Sequence, residues 1–320
     1  MPLKLNSKIR ITPKFKEKNK VVFLVGPTAI GKSKIAVELA KRLHSQVISC
    51  DSMQIYKGMD IITSKPGSSL KNRVKHHLIG SVSCDREYNV SRYRREAIGI
   101  MKKIMKRGKV PVFCGGTGLY VSILVDGIFK GSKGNPALRR KLYRLADRHG
   151  NDYLYRRLKR VDEKAADRIH PNDIKRIIRA LEVFVTSGKP ISVLQQERKG
   201  LSSDYDVRIF CLNMDRDLLY QRIDCRVDKM FKDGLLEEVK KLFSKKLSKT
   251  AQGAIGIKEL KGYFEDEYSL EEALRLMKRN TRHYAKRQLS WFRKDKRICW
   301  IDVKEGEKPL QIAKRINSLI

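Results

Sequence analysis

One short stretch near the start of the chain constrains its fold more than any other. Val21 to Val25 is an unbroken apolar run, Gly26-Pro27-Thr28-Ala29-Ile30-Gly31-Lys32-Ser33 follows at once, and Ile35, Ala36, Leu39, Ala40 and Leu43 then recur on one helical face. A buried strand, a glycine-bounded loop and a helix in that order form the context of a P-loop. The glycines let backbone N–H groups converge on a phosphate, and the start of the helix adds its positive end. Lys32 supplies a point charge and Ser33 a hydroxyl for Mg²⁺. The stretch therefore predicts a cradle for a diphosphate or a nucleotide phosphate, and leaves the reaction open.

Two more predicted strands end in chemistry. Val47-Ile-Ser-Cys50 runs into Asp51-Ser52-Met53-Gln54, and Val110-Pro-Val-Phe-Cys114 runs into Gly115-Gly-Thr117-Gly118. Strands alternating with helical sequence predict an α/β fold with a parallel sheet. In such sheets ligands sit outside the carboxyl ends of the strands, so three polar or glycine-rich strand ends converge on one site. Residues 131–204 change character, toward helices rich in Arg, Lys, Leu and Asp. The clearest starts after Pro171-Asn-Asp173, with Ile174, Ile177, Ile178, Leu181 and Val185 as an apolar stripe and Lys175, Arg176 and Arg179 facing away. Gly188-Lys-Pro190 ends it. The expected organisation is a basic tail over residues 1–20, a core over 21–130 and 205–320, and a helical insertion over 131–204 that returns to a core strand near Val207–Leu212.

The charge balance narrows the partners. Lys and Arg total 71 against 35 Asp and Glu, a formal net charge of +36. Self-repulsion makes such an excess mildly unfavourable unless a polyanion uses it, and the absence of any membrane-binding pattern favours nucleic acid. The first twenty residues carry seven basic residues and one acid, a solvated tail rather than a secretion signal. No apolar run reaches membrane-spanning length. Six scattered cysteines without a C-x-x-C pair suit reduced thiols in the cytoplasm and argue against structural zinc. The adjacent His76 and His77 point apart on a strand and read as structural. A long helix opens with the capping box Ser269-Leu-Glu-Glu272. Met277, Tyr284 and Trp291 lie on one side of it; Arg279, Arg282, Lys286 and Arg293 on the other suit a phosphate backbone.

No Walker-B aspartate follows a long apolar strand, which disfavours a motor ATPase or GTPase against a small group-transfer enzyme. At this point the motifs are recognisable as an ordered set. The P-loop, Asp51-Ser-Met-Gln-Ile-Tyr-Lys-Gly-Met-Asp60, His76-His-Leu-Ile79, Gly115-Gly-Thr-Gly-Leu-Tyr120, Ile169–Val183 and Ala285-Lys-Arg-Gln288 together resemble the bacterial-type tRNA dimethylallyltransferases, from about residue 21 to 302. The resemblance implies a P-loop kinase-like core with a helical insertion and C-terminal helices that clasp a tRNA anticodon stem-loop. It implies transfer of a dimethylallyl group from dimethylallyl diphosphate to an adenosine amine 3′ of the anticodon, with Mg²⁺, by a monomer. Asp51 is then the candidate base, Lys32 and Arg226 the charges on the leaving group, and Thr117 the donor to the bridging oxygen. The tRNA contacts it implies are Asp51, Ser52, Met53, Gln54, Arg139, Lys175, Arg176, Ile177, Ile178, Arg179, Gly256, Lys258, Arg282, Lys286, Arg287 and Gln288. Ile30, Ile62, Ser64 and Ile257 depart from the family pattern, and the zinc finger of some eukaryotic relatives is absent. A P-loop kinase, an adenylate isopentenyltransferase and a non-catalytic RNA-binding protein are the rival readings.

Overall fold

The computed structural model describes residues 18–129 and 134–320, so most of the basic tail and the first residues of the insertion lie outside the described residues. Six parallel strands form one sheet: β1 (Lys20–Val25), β2 (Val47–Ser49), β3 (His76–His77), β4 (Val112–Gly115), β5 (Asp206–Asn213) and β6 (Ile298–Asp302). Their order across the sheet is β3-β2-β4-β1-β5-β6. The strand carrying the P-loop is therefore central, and the chain turns outward on both sides of it. Such a reversal is where an α/β sheet opens a crevice. Register brings the ends together: Val25 lies beside Gly115 and Cys211, and Ser49 beside Cys114.

The alternation of side chains along β1 explains the two layers. Val21, Phe23 and Val25 enter one core, where Phe23 stacks on Phe113 at 4.6 Å; Val22 and Leu24 enter the other. The first core is covered by α2 (Val90–Met105), α3 (Gly118–Val125), α8 (Leu235–Phe243), α9 (Ile257–Phe264) and most of α10 (Leu270–Phe292). The second is covered by α1 (Lys32–Arg42) and α11 (Pro309–Asn317). Helix α7 (Arg216–Lys232) contributes to both, through Val227 and Met230 on one side and Leu219 and Ile223 on the other. Both faces of β1 are covered, which is why its sequence is continuously apolar rather than alternating. Strand β6 was not expected from the sequence, because Cys299 and Trp300 leave it half exposed at the sheet edge.

The departures noted in the sequence all fall inside. Ile30, Ile62 and Ile257 are buried, and Ser64 is half-buried with its hydroxyl against the Met230 sulfur. Larger apolar side chains are taken up by the cores rather than exposed at a contact surface.

Helices α4 (Pro136–His149), α5 (Asn151–Val161) and α6 (Ile174–Ser187) form a third core of their own, around Leu154, Leu158, Ile177, Ile178 and Leu181. Asp173 caps α6 by accepting from the Arg176 amide, and Gly188 ends it at φ 69°. Two expectations are corrected here. Val185 is 59% exposed, because the last turn of α6 runs past the core. Ile177 and Ile178 are wholly interior, so their side chains are packing residues and not tRNA contacts.

The basic face of α6 is also divided. Glu182 is fully buried, and its carboxylate accepts from the Asn135 amide, from Arg139 at 2.8 and 2.9 Å, and from Arg179 at 2.6 Å. Burial pushes the Glu182 carboxyl up, but the donated bonds outweigh it and hold it below the usual carboxylate range. Arg139 and Arg179 are thus anchored by a shared anion, whereas Lys175 is simply exposed. Arg179→Gln should lower stability by about 1–2 kcal/mol, the usual cost of losing a charge-assisted bond, while Lys175→Gln should stay within about 0.5 kcal/mol. Denaturant midpoints of the two variants check this; equal midpoints would mean that Arg179 holds nothing.

Candidate active site

The three strand ends open into one cavity of about 850 Å³. Its floor is the P-loop from Thr28 to Ser33, and Asp51, Gln54, Gly115, Arg226, Tyr284 and Gln288 stand around it. The loop's shape follows from close packing. A Cβ on Gly26 would lie 2.9 Å from the Leu212 carbonyl of β5, and Gly31 takes φ 98° as the N-cap of α1. Ala29 is a non-glycine residue at φ 66°, a strained conformation of the kind that persists where a loop is fixed for a ligand. Gly26 itself sits under β5 and does not line the cavity. Pro27 contributes only its carbonyl, which accepts from the Lys32 ammonium at 2.6 Å.

Lys32 and Arg226 are two of the cations that line this cavity. Burial lowers the Lys32 ammonium to about 8; Cys114 and Asp51 work against the shift and Arg226 adds to it. Arg226 reaches in from α7 and donates to the Thr28 hydroxyl at 3.3 Å; burial lowers its pKa too, opposed by Asp51. Both charges lack a salt bridge among the described residues. Desolvated positive charges with lowered pKa values are the signature of a site completed by an anion.

Asp51 stands across from them with a divided carboxylate. Its Oδ1 accepts from the Met53 and Gln54 amides at 2.8 and 3.2 Å, which fixes the turn after β2. Its other oxygen has no hydrogen-bond partner among the described residues and belongs to the cavity wall. The turn reading and the chemical reading of this aspartate therefore hold together. Thr117 caps α3, and its hydroxyl accepts from the Ser52 amide at 3.0 Å. Gln54 donates to the carbonyls of Thr63 and Ser64, both at 3.3 Å. That second loop is held from outside by Glu238 of α8, whose carboxylate accepts the amides of Asp60, Ile61 and Ile62.

Gln288 corrects another expectation. It is 5% exposed; its Oε1 accepts from the Thr28 amide at 2.8 Å and its Nε2 donates to the Gly116 carbonyl at 2.9 Å. A Cβ on Gly116 would collide with that amide, so the glycine makes room for the bond. Gln288 thus ties the P-loop to the Gly115–Gly118 loop and is not an exposed tRNA contact. Arg282 is likewise committed: its guanidinium binds Asp224 of α7 at 2.5 and 3.0 Å and lies over the Tyr220 ring. Beside it Lys278 pairs with Asp228 at 2.6 Å. Arg279, Lys286, Arg287 and Arg293 remain exposed on α10, and Lys258 on α9, while Gly256 is buried beneath Met277 and Ile62.

Tyr284 was read as a packing residue and is a site residue. Its phenol hydrogen-bonds with Thr117 and Gln288 and lines the cavity, and burial raises its pKa. Only the folded structure reveals this, since Thr117 lies more than a hundred residues away in sequence. His76 and His77 sit on β3, with ring nitrogens on the Val74 carbonyl and the Gln46 side chain, both at 2.7 Å.

Comparison with known proteins gives a consistent picture. The IPP transferase family model matches residues 54–295, and an isopentenyl transferase model matches residues 19–79, which hold the P-loop. The chain is 43% identical over 300 residues to the tRNA dimethylallyltransferase of Acetivibrio thermocellus, covering 93% of this chain and 96% of that protein. It is 45% identical over 294 residues to the enzyme of that name from Carboxydothermus hydrogenoformans, covering 91% and 94%. Among solved structures it is similar to the tRNA isopentenylpyrophosphate transferase of Bacillus halodurans, with TM-score 0.69, 39% identity and coverage of 94% and 96%. A eukaryotic dimethylallyltransferase captured acting on tRNA matches with TM-score 0.80 and 30% identity, over 93% of this chain and 77% of that one.

The lowered Lys32 pKa has a testable sign. Below pH 8 the ammonium is charged and favours an anion; above it the charge is lost, and binding must also take up a proton. Affinity for a diphosphate monoester should be flat up to about pH 8 and then fall by up to roughly tenfold per unit. Lys32→Arg, which stays charged, should remove the inflection. Titration calorimetry between pH 7 and 9.5 measures it, and a wild-type profile without a break near 8 would show that Lys32 is not the titrating group. For the free protein the linkage runs the other way. The unfolded lysine, near 10.5, binds more protons than the folded one, so this group adds stability as pH rises from about 8.

Proposed function

The chain belongs to the IPP transferase family, and we propose that it transfers the dimethylallyl group of dimethylallyl diphosphate to the N6 amine of the adenosine immediately 3′ of the anticodon in tRNA. The observation that carries the reading is one cavity with two unlike walls. Lys32 and Arg226 stand on the P-loop side, and an aspartate oxygen with no partner among the described residues stands opposite. The first wall suits a leaving diphosphate; the second suits an amine that must shed a proton.

The chemistry assigns each group a task. The C1–O bond of the allylic diphosphate breaks as the N6–C1 bond forms, and negative charge grows on the bridging oxygen. Lys32 and Arg226 stabilise that charge in a site that excludes water, where such charges act most strongly. Thr117 donates a hydrogen bond to the same oxygen, a role supported by its hydroxyl's contacts with Tyr284 and Ser52 beside the cavity. The N6 proton passes to the free oxygen of Asp51, while the bonds on its other oxygen keep the carboxylate in place. Gln54, held by the Thr63–Ser64 carbonyls, lines the acceptor side.

A divalent cation fits this floor. The Ser33 hydroxyl lines the cavity without a protein partner among the described residues, and no group of three or more His, Cys, Asp or Glu residues is available there. One hydroxyl together with diphosphate oxygens and water is a donor set that suits Mg²⁺. Bound there it would neutralise charge on the diphosphate. The groups given a task above all belong to one chain, which suits a monomer as the working unit. Six free thiols, four of them buried or half-buried, suit the cytoplasm. No helix among the described residues is long and apolar enough to cross a membrane.

Label transfer tests the reaction directly. Dimethylallyl diphosphate labelled in its alkyl group, offered together with ATP, AMP and unmodified tRNA, should mark only the tRNA. Label on AMP, or phosphate transfer from ATP, would favour the rival readings. Asp51→Asn keeps the turn bonds and removes the base. It should lower the single-turnover rate by about a hundredfold or more, with diphosphate affinity little changed. Thr117→Ala should cost roughly 3 kcal/mol in the chemical step. Near wild-type single-turnover rates at saturating tRNA would remove either residue from its assigned task.

A further inference from the structure

Helix α10 meets the Gly116–Gly118 loop through three side chains spaced i, i+4 and i+7. Tyr284 reaches Thr117, Gln288 holds Gly116, and the Trp291 indole lies against Gly118, where any Cβ would collide with the ring. The first two line the cavity. Trp291 lies one turn further along the same face, beyond the cavity lining, and is 39% exposed; Leu119, which follows Gly118 in the chain, is 46% exposed. Its indole N–H has no partner among the described residues.

Single exposed apolar side chains are ordinary, and Trp300 is one. Trp291 differs in its surroundings. Arg287 and Lys294, four residues before it and three after, are exposed and form no salt bridge among the described residues, while Arg287 lies over the Tyr284 ring. An exposed aromatic surface flanked by free cations, on the helix face whose preceding turns line the cavity, complements a strand with anionic phosphates and apolar base faces. An adenine that enters the cavity must also leave its own stack, which deprives a neighbouring base of its partner.

We propose that Trp291, backed by Leu119, is a stacking platform for the unpaired nucleobase next to the adenosine that enters the cavity. The proposal rests on the tRNA reading given above and adds a contact that is independent of phosphate charge. Its energetic signature therefore differs from that of the surrounding lysines and arginines: stacking changes affinity without changing the number of counterions released.

The test uses the full-length protein with Trp300→Phe, which leaves Trp291 as the only indole, and an unmodified anticodon stem-loop RNA. Binding should quench Trp291 fluorescence. Adding Trp291→Leu should weaken RNA binding by about tenfold to a hundredfold, with the slope of log affinity against log salt unchanged. Trp291→Phe should keep affinity within about threefold, and neither change should alter affinity for dimethylallyl diphosphate. Wild-type affinity in the leucine variant would overturn the platform. So would an equal loss with phenylalanine, which would indicate packing on Gly118, or a loss that flattens the salt slope. A parent protein that binds the diphosphate but not the RNA would overturn the tRNA reading itself, and the platform with it.

Discussion

The site depends on one buried amide. Gln288 accepts from the P-loop at Thr28 and donates to Gly116, joining loops that leave β1 and β4. The sheet brings these loops near each other through register alone, but near is not enough for chemistry that needs reacting atoms within a few tenths of an ångström. An amide is suited to this task because it carries a donor and an acceptor a fixed distance apart, and burial makes each bond costly to leave unmade. The glycine at position 116 is part of the same device, since a side chain would occupy the space of the amide. Tyr284, four residues before Gln288 on α10, then fastens Thr117. One helix, packed across the outside of the site, sets the spacing between the diphosphate half and the acceptor half.

Electrostatics makes the assembled cavity selective. Lys32 and Arg226 are partly buried without a salt bridge among the described residues, and the lowered pKa of each records what that burial costs. The cost is recovered when a polyanion enters and both cations gain a partner. Asp51 is held differently, because two backbone amides bond to one of its oxygens. A carboxylate fixed at one oxygen is oriented, yet keeps the other oxygen for substrate. On the proposed reading, the two ends of the transfer are prepared by different means: desolvated cations for the leaving group, and a partly satisfied anion for the incoming amine.

Much of this arrangement was legible in the sequence. The strands ending at Val25, Cys50 and Cys114 could be read because strands covered on both faces are continuously apolar, and their polar ends then mark the ligand side. Helix α6 was readable from its apolar stripe, except at Val185, where periodicity continues past the end of the core it packs on. The failures share one cause. Gln288 and Arg282 belong to a strongly basic helix, and in sequence they look like part of its solvent face. Their true partners, Thr28 and Asp224, lie 260 and 58 residues away. Spacing within a helix says which residues share a face; it says nothing of which distant acid waits for them. Strand β6 escaped for a related reason, as an edge strand with two exposed side chains lacks the pattern that betrays the buried ones.

Gln288→Leu addresses the central claim most directly, since leucine keeps the volume and removes both hydrogen bonds. The decisive quantity is the single-turnover transfer rate at saturating dimethylallyl diphosphate and tRNA, measured on protein whose cooperative unfolding transition is retained. The account predicts a rate lowered by about a hundredfold, because two halves that remain folded are no longer held in register. A folded variant that transfers at the wild-type rate would contradict it, and would leave the sheet alone as the source of the site's geometry.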